Sequence, residues 1–311
     1  LGYRLIQDEA LSRGLRRIAR DEIDEAIAHL SEKEPSKRDH SIHEARKSIK
    51  KLRGLLRMLT PVPGASTKAD VAALGELGRA LSEFRDAAAL IETVDLLAQH
   101  CRSAKVLEQL ADLRRTLRRR AEHTCGASDL RGALEHGIVG LRRLKRGTAT
   151  WKLGDDFDAI APGLERSFRR GRAALRTARE EQTSERFHDL RKRVKDRWYQ
   201  VRVLEGLWAH PALTPEKELR DLQEDLGDDH NLEVLRALIP AKSAELREMV
   251  DTMQRGLRQK SLETASALYE RKACDFVAEL SALWDQWSGE KTQPKSVKSV
   301  VSRPRVKSAI A

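Results

Sequence analysis

Along this chain apolar residues return every three or four positions in one segment after another, the period of a helix buried along one face. From Tyr3 to about Lys33 the series is Leu11, Leu15, Ile18, Ile23, Ile27 and Leu30, and Pro35 ends it. A second helix starts near Asp39 or Ser41, either of which can cap it, and stops at Pro61-Val-Pro63-Gly64. A third, Lys68 to about His100, turns Val71, Leu74, Leu77, Leu81, Phe84 and Ile91 inward, with Gly75 and Gly78 leaving room for a close neighbour. A fourth runs from about Ser103 to Glu122, and a further helix is read over Leu130 to Leu144. Beyond Thr148 to Gly154 the pattern predicts helices at about 156–182, 184–209, 215–239 and 241–287, punctuated by Pro211, Pro215 and Pro240. No Val/Ile/Tyr run alternates at period two for long enough to predict a strand. Amphipathic helices joined by short connections imply antiparallel bundles.

The second predicted helix returns later in the chain. His43 to Leu59, HEARKSIKKLRGLLRML, aligns without a gap on His188 to Leu204, HDLRKRVKDRWYQVRVL. At this single offset of 145, His43 falls on His188, Arg46 on Arg191, Lys47 on Lys192, Lys50 on Lys195 and Arg57 on Arg202. The register persists, since Leu74, Leu77, Leu81 and Leu90 fall on Leu219, Leu222, Leu226 and Leu235. Two similar halves are expected, 1–148 and 149–287.

Wound at about 100° per residue, Arg46, Lys47, Lys50, Arg53, Gly54 and Arg57 share an arc of roughly 120° with His43. Ala45, Ile49, Leu52, Leu55, Leu56 and Leu59 occupy the opposite side. The second copy repeats the basic arc with His188, Arg191, Lys192, Lys195 and Arg202, and places Trp198 and Tyr199 where Arg53 and Gly54 stand. Neither arc contains a carboxylate. A solvated helix face normally mixes both signs, whereas a purely cationic stripe repels itself unless an anion lies on it. Trp198 and Tyr199 are read as packing residues, although a tyrosine hydroxyl beside such a groove can donate to a phosphate.

The run His-x-x-Arg-Lys-x-x-Lys followed by a second arginine resembles the signature of the CHAD family, the conserved histidine α-helical domain. Leu81-Ser-Glu-Phe-Arg-Asp86, Leu226-Gly-Asp-Asp-His-Asn231 and Gly163-Leu-Glu-Arg-Ser-Phe-Arg-Arg-Gly-Arg172 resemble further motifs of the family, the last with Phe168 in place of tyrosine. The resemblance covers nearly the whole chain, from Gly2 to the region of Trp284 and Trp287. It implies an all-α fold of two four-helix halves that binds inorganic polyphosphate in a basic groove between them. If a pseudo-twofold relates the halves, they form one compact double domain whose signature helices line that central groove. The expected polyphosphate-binding residues are then His43, Arg46, Lys47, Lys50, Arg57, His188, Arg191, Lys192, Lys195 and Arg202. A second rank comprises Arg85 with its counterpart His230, then Arg16, Arg17, Arg20, Arg169 and Arg172. Arginine offers a planar fork to two phosphoryl oxygens, lysine a mobile point charge, and histidine a donor that an adjacent polyanion strengthens.

Charge alters this picture only by its placement. The net charge is +11, but residues 288–311 hold six Lys and Arg against Glu290, so +5 sits in a tail and +6 in the rest. The tail, rich in Ser, Lys, Val and Pro, is expected to be disordered and solubilising. No stretch of 18 apolar residues is available to span a membrane, and no secretory signal pattern opens the chain. Three widely spaced cysteines suit a reducing cytoplasm and exclude a disulfide framework; zinc is not expected. Association with polyphosphate granules is expected from the resemblance alone.

Three rival functions differ in class. The His188-Asp189 pair, with His43-Glu44 beside the first copy, suggests a metal-dependent phosphohydrolase, but neighbours on a helix point about 100° apart. His40 and His43 make a lone pair, short of a metal site. No Gly-rich phosphate loop, Ser-His-Asp order or cysteine nucleophile context is present, so neither catalysis nor a cofactor is expected. Nucleic acid is the stronger rival, because any phosphate groove attracts it, yet aromatics for base stacking are only 4 % of residues. The third is a helical scaffold whose basic faces meet an acidic protein.

Overall fold

The computed structural model describes residues 2–59, 68–82, 86–123, 127–209 and 214–289, and among these every regular element is helical. The eleven α-helices are α1 (Leu11–Leu30), α2 (Arg38–Leu59), α3 (Lys68–Ala80), α4 (Asp86–His100), α5 (Ala104–His123), α6 (Ala127–Gly147), α7 (Ala161–Glu181), α8 (Ser184–Val203), α9 (Glu216–Leu238), α10 (Ala244–Tyr269) and α11 (Ala273–Gly289). The tail from residue 290 on lies outside the described residues. No described helix is long and apolar enough to cross a membrane.

The offset of 145 organises the elements as well as the motif. The buried positions Leu15, Ile18, Ala19, Ile23, Ala26 and Leu30 of α1 fall on the buried Ile160, Gly163, Leu164, Phe168, Gly171 and Leu175 at and within α7. By the same offset α2 corresponds to α8, α3 with α4 to α9, α5 to α10, and α6 to α11. Two of the expected long helices are broken. The stretch 68–100 ends its first helix at Ala80, turns at Leu81 and Ser82, and resumes at Asp86; the stretch 241–287 breaks over residues 270–272.

The helices pack around two cores. One core takes the apolar faces of α1, α2, α3, α6, α7, α8 and α11 with the N-terminal part of α9 and the C-terminal end of α10. A second core joins α4 and α5 to the opposite ends of α9 and α10, through Leu90, Val94, Leu97, Val106, Leu110 and Leu117 against Leu232, Leu235, Ile239, Leu246 and Val250. Continuous α9 serves both cores by its length, with Leu219, Leu222 and Leu226 in the first and Leu232 and Leu235 in the second. In the other half the same task is divided between α3 and α4. The halves therefore share the second core.

α2 and α8 cross where their bulk is least. A Cβ on Gly54 would lie 2.7 Å from the Cβ of Tyr199, so any side chain at position 54 forces the helices apart. The N-terminal segment straps the crossing: Tyr3 donates its hydroxyl to the Lys51 carbonyl at 2.7 Å, Leu5 N–H donates to the Val203 carbonyl at 2.9 Å, and the Tyr3 ring meets Tyr199 edge-on. On the far side of α8, buried Arg197 sits over the rings of Phe168, Tyr269 and Phe276 and donates to the Leu268 carbonyl at 2.6 Å, joining α7, α8, α10 and α11. Trp284 is buried against Phe157 and Trp287 as a core anchor.

Candidate functional site

A cleft of about 600 Å³ opens beside this crossing. The α2 wall carries His43, Arg46, Lys50, Arg53 and Arg57, and the α8 wall carries His188, Arg191, Lys192, Lys195, Asp196 and Tyr199. α3 and the turn after it add Gly75, Gly78, Arg79 and Ser82, and α9 adds His230 and Asn231. Both helices bury their Leu, Ile and Val faces in the first core, and this leaves the opposite, basic arcs to line the cleft.

Equivalent arginines are seated alike in the two halves. Arg46 donates to Ser82 Oγ at 2.8 Å. Its counterpart Arg191 lies against Gly227, the counterpart of Ser82, where a Cβ would come within 3.4 Å of the guanidinium. Gly75 gives Arg53 comparable room, at 3.6 Å, so the close neighbour for which that glycine leaves space is a guanidinium. The Leu226-Gly-Asp-Asp-His-Asn231 motif fixes the α9 wall from behind. Asp229 is buried and accepts from Arg258 of α10 at 2.6 Å, while Gln254 donates to its backbone carbonyl, and the next two residues face the cleft.

The electrostatics are those of a crowded cationic hollow. Burial, then the charges of Arg191, Lys50 and Arg46, hold the Lys195 ammonium well below the usual lysine range. Burial also lowers the pKa of Arg191 and of Arg53, Asp228 and Asp229 partly offsetting this for Arg191 and neighbouring Arg57 adding to it for Arg53. The rings of His188 and His230 stand 4.8 Å apart. Burial and then Arg191, His188 and Lys195 push His230 down to about 4, and burial with Lys192 and Arg191 lowers His188. Arg53 Nε, Arg191 Nε and His188 Nδ1 are buried with no hydrogen-bond partner among the described residues. These atoms lie on both long walls, Arg53 on α2 and the other two on α8.

A carboxylate does enter the cleft, contrary to the all-cationic reading of the arcs. Asp196 is buried and pairs through one oxygen with Arg57 of α2 and through the other with Arg193 at 3.4 Å. It falls on Lys51 in the first half, just outside the aligned arc, so the repeat gives no hint of it. Burial raises its pKa, and Arg57, Arg193 and Arg53 oppose that rise.

Of the first-rank residues, His43, Arg46, Lys50, Arg57, His188, Arg191, Lys192 and Lys195 line the cleft. Lys47 does not; its ammonium pairs with Glu44 at 2.8 Å, one turn away. Arg202 lies over the rings of Trp198 and Tyr3 instead. Of the second rank, His230 alone among the described residues lines the cleft. Arg16 donates to the Trp151 carbonyl, Arg17 to Glu9 and Arg20 to Thr148 Oγ1, so the α1 stripe holds the N-terminal segment and the 148–151 connection in place. Exposed Arg169 pairs with Glu165, Arg172 is not among the lining residues, and Arg85 falls outside the described residues. Two arginines enter that the residue-by-residue reading left out. Arg53 belongs to the basic arc but has Trp198 as its counterpart, and Arg79 has Glu224. Trp198 donates to Glu216 at 2.8 Å, and Tyr199 is 6 % exposed between Tyr3 and Gly54, so both pack.

His188 and Asp189 part company as the helical angle requires: His188 faces His230, while Asp189 accepts from Lys192 at 2.9 Å. Among the described residues no three His, Cys, Asp or Glu side chains gather to hold a metal ion.

Comparison with known proteins gives one family. The family model described as the CHAD domain matches residues 21–240. A crystal structure of the CHAD domain from the plant Ricinus communis aligns with a TM-score of 0.49 at 16 % identity, covering 90 % of this chain and 94 % of that chain. No curated protein matches the chain. The family match spans well over half of the 311 residues and includes both signature helices, and the chain belongs to the CHAD domain family.

Proposed function

We propose that the cleft binds inorganic polyphosphate and does so without catalysis. The observation that carries this reading is the charge of the lining: among the described residues eight arginines and lysines face one hollow against the single carboxylate of Asp196, and two of these arginines have a buried N–H without a hydrogen-bond partner. Such a surface is complementary to a dense row of phosphoryl oxygens with no bases to read. Gly54 and Tyr199, equivalent positions in the repeat, touch at the crossing of α2 and α8. Contact between equivalents supports a pseudo-twofold passing there, with the two basic arcs on either side of one shared groove. Association with polyphosphate granules in the cytoplasm follows from the same reading. Nucleic acid is the rival ligand, because a phosphate groove attracts any polyphosphodiester.

The test compares long-chain polyphosphate with duplex DNA at equal phosphate concentration over a salt series, for wild type and for Arg46→Ala/Lys50→Ala/Arg191→Ala/Lys195→Ala. Polyphosphate binding that outlasts DNA binding as salt rises, and is lost in the variant, is the expected result. Equal binding of both ligands that the substitutions leave untouched refutes the reading and moves attention to the basic tail. Orthophosphate released from polyphosphate during incubation would refute the absence of catalysis.

A further inference from the structure

The cleft does not end evenly at its two sides. At the Arg57 end, Asp196 is shared between Arg57, which lines the cleft, and Arg193, which stands one turn back on α8. Behind Arg193, α7 packs along α8 and presents Arg166 and Arg170, one helical turn apart and on one face. Arg170 is exposed and lies within electrostatic range of Arg57, Arg166, Arg193 and Asp196; partial burial and the three like charges lower its pKa. Neither Arg166 nor Arg170 has a hydrogen-bond or ion-pair partner among the described residues. Basic residues thus lead from Arg57 on the cleft wall, past Asp196, to Arg193 and on to Arg166 and Arg170 of α7.

The repeat supplies an internal control. At the offset of 145, Arg166, Arg170 and Arg193 fall on Asp21, Glu25 and Ser48. In the first half the same positions on α1 are therefore acidic, with Asp21 3.6 Å from Arg17 and Glu25 3.7 Å from His29. The sign also differs at the position of Asp196, which corresponds to Lys51, and Lys51 donates to buried Glu22 of α1 at 2.7 Å. Two halves that present nearly the same arc inside the cleft carry opposite signs just outside it.

We propose that Arg166, Arg170 and Arg193 form a second phosphate-binding subsite continuous with the cleft at its Arg57 end, and that a polyanion too long for the cleft leaves it over α7 rather than over α1. The proposal rests on the reading of the cleft as a polyanion site and adds to it a direction and a preference for long chains. A short oligophosphate is held by the cleft residues alone. A long chain also meets the arm, and each added phosphate contact releases further counterions.

The experiment measures the affinity of tripolyphosphate and of long-chain polyphosphate for wild type and for Arg166→Gln/Arg170→Gln. Arg193 is left intact because it neutralises buried Asp196. The substituted side chains project from the surface of α7, and a circular dichroism melt verifies that the fold is kept. The expected result is a loss of about tenfold in long-chain affinity, with the slope of log affinity against log salt shallower by roughly 1.4 for two lost contacts, and tripolyphosphate affinity within about twofold of wild type. Equal loss for both ligands, or loss for neither while wild type binds both, overturns the subsite and leaves the cleft reading standing. Wild type that binds neither ligand overturns both.

Discussion

His188 and His230 face each other inside a wall that already holds Arg191, Lys192 and Lys195, with Asp189 and Glu233 as the acids within range. Both imidazoles are neutral in the free protein near pH 7, because burial and like charge work against the imidazolium. A bound polyanion reverses the sign of the local field and raises both pKa values, so protons are taken up on binding wherever the pH lies between the free and bound values. Affinity is then expected to fall as pH rises from about 4, the free value of His230, through its bound value, and to become flat above it. Titration calorimetry in two buffers of different ionisation enthalpy reads this uptake directly. His230→Gln should remove part of it, and an uptake of zero at pH 6 would contradict the assignment. In the absence of ligand the same depressed pKa destabilises the fold as pH drops from about 6.5, the ordinary histidine value, toward about 4, since the unfolded chain binds the proton first. Asp196 behaves as a resident anion among Arg57, Arg193 and Arg53. Asp196→Asn should lower stability by about 1–3 kcal/mol in the free protein, because it leaves cations facing one another. Saturating polyphosphate should restore most of that loss, which melts with and without ligand will measure.

At the scale of elements, the signature helices owe their approach to one missing side chain. Gly54→Val places a branched group into the Tyr199 contact, and overpacking of this kind costs about 1–3 kcal/mol. Chemical denaturation should register the loss, and polyphosphate affinity should fall with it, since the two walls move apart; unchanged stability would mean that the helices slide to accommodate the group. The helices themselves were legible because each carries a complete apolar stripe, and the basic arcs were legible because they recur at one offset. What the stripes cannot tell is which neighbour covers them. Val71, Leu74, Leu77, Leu81, Phe84 and Ile91 make 68–100 read as one helix, yet Leu74 and Leu81 enter one core while Ile91 packs against the other. Arg79 and Asp196 reach the cleft from positions whose counterparts, Glu224 and Lys51, carry the opposite charge, and recurrence is blind to such sites. The α1 arginines lie away from the cleft for a related reason: a basic stripe shows where charge is, and not that the Trp151 carbonyl, Glu9 and Thr148 accept from it.

At the scale of the whole molecule, the two halves are alike in sequence and interdependent in packing. The second core takes six buried apolar residues from α4 and α5 and five from α9, α10 and Ile239 between them. Burial of one such side chain contributes about 1.5–3 kcal/mol, so exposing even part of either set removes an amount comparable to the whole 5–15 kcal/mol stability of an ordinary fold. The cleft spans the same division, its α2 and α3 walls coming from one half and its α8 and α9 walls from the other, with Arg57 and Asp196 paired across it. Cutting the chain in the connection between α6 and α7 therefore tests whether the repeat is a pair of domains or one structure. Residues 1–148 or 149–311 expressed alone should show no cooperative melt and should bind a hydrophobic dye, and mixing them should recover both a cooperative transition and polyphosphate binding. Separate fragments that each melt cooperatively near the temperature of the intact chain would show that the shared core contributes little, and that each half is stable by the packing of its own helices.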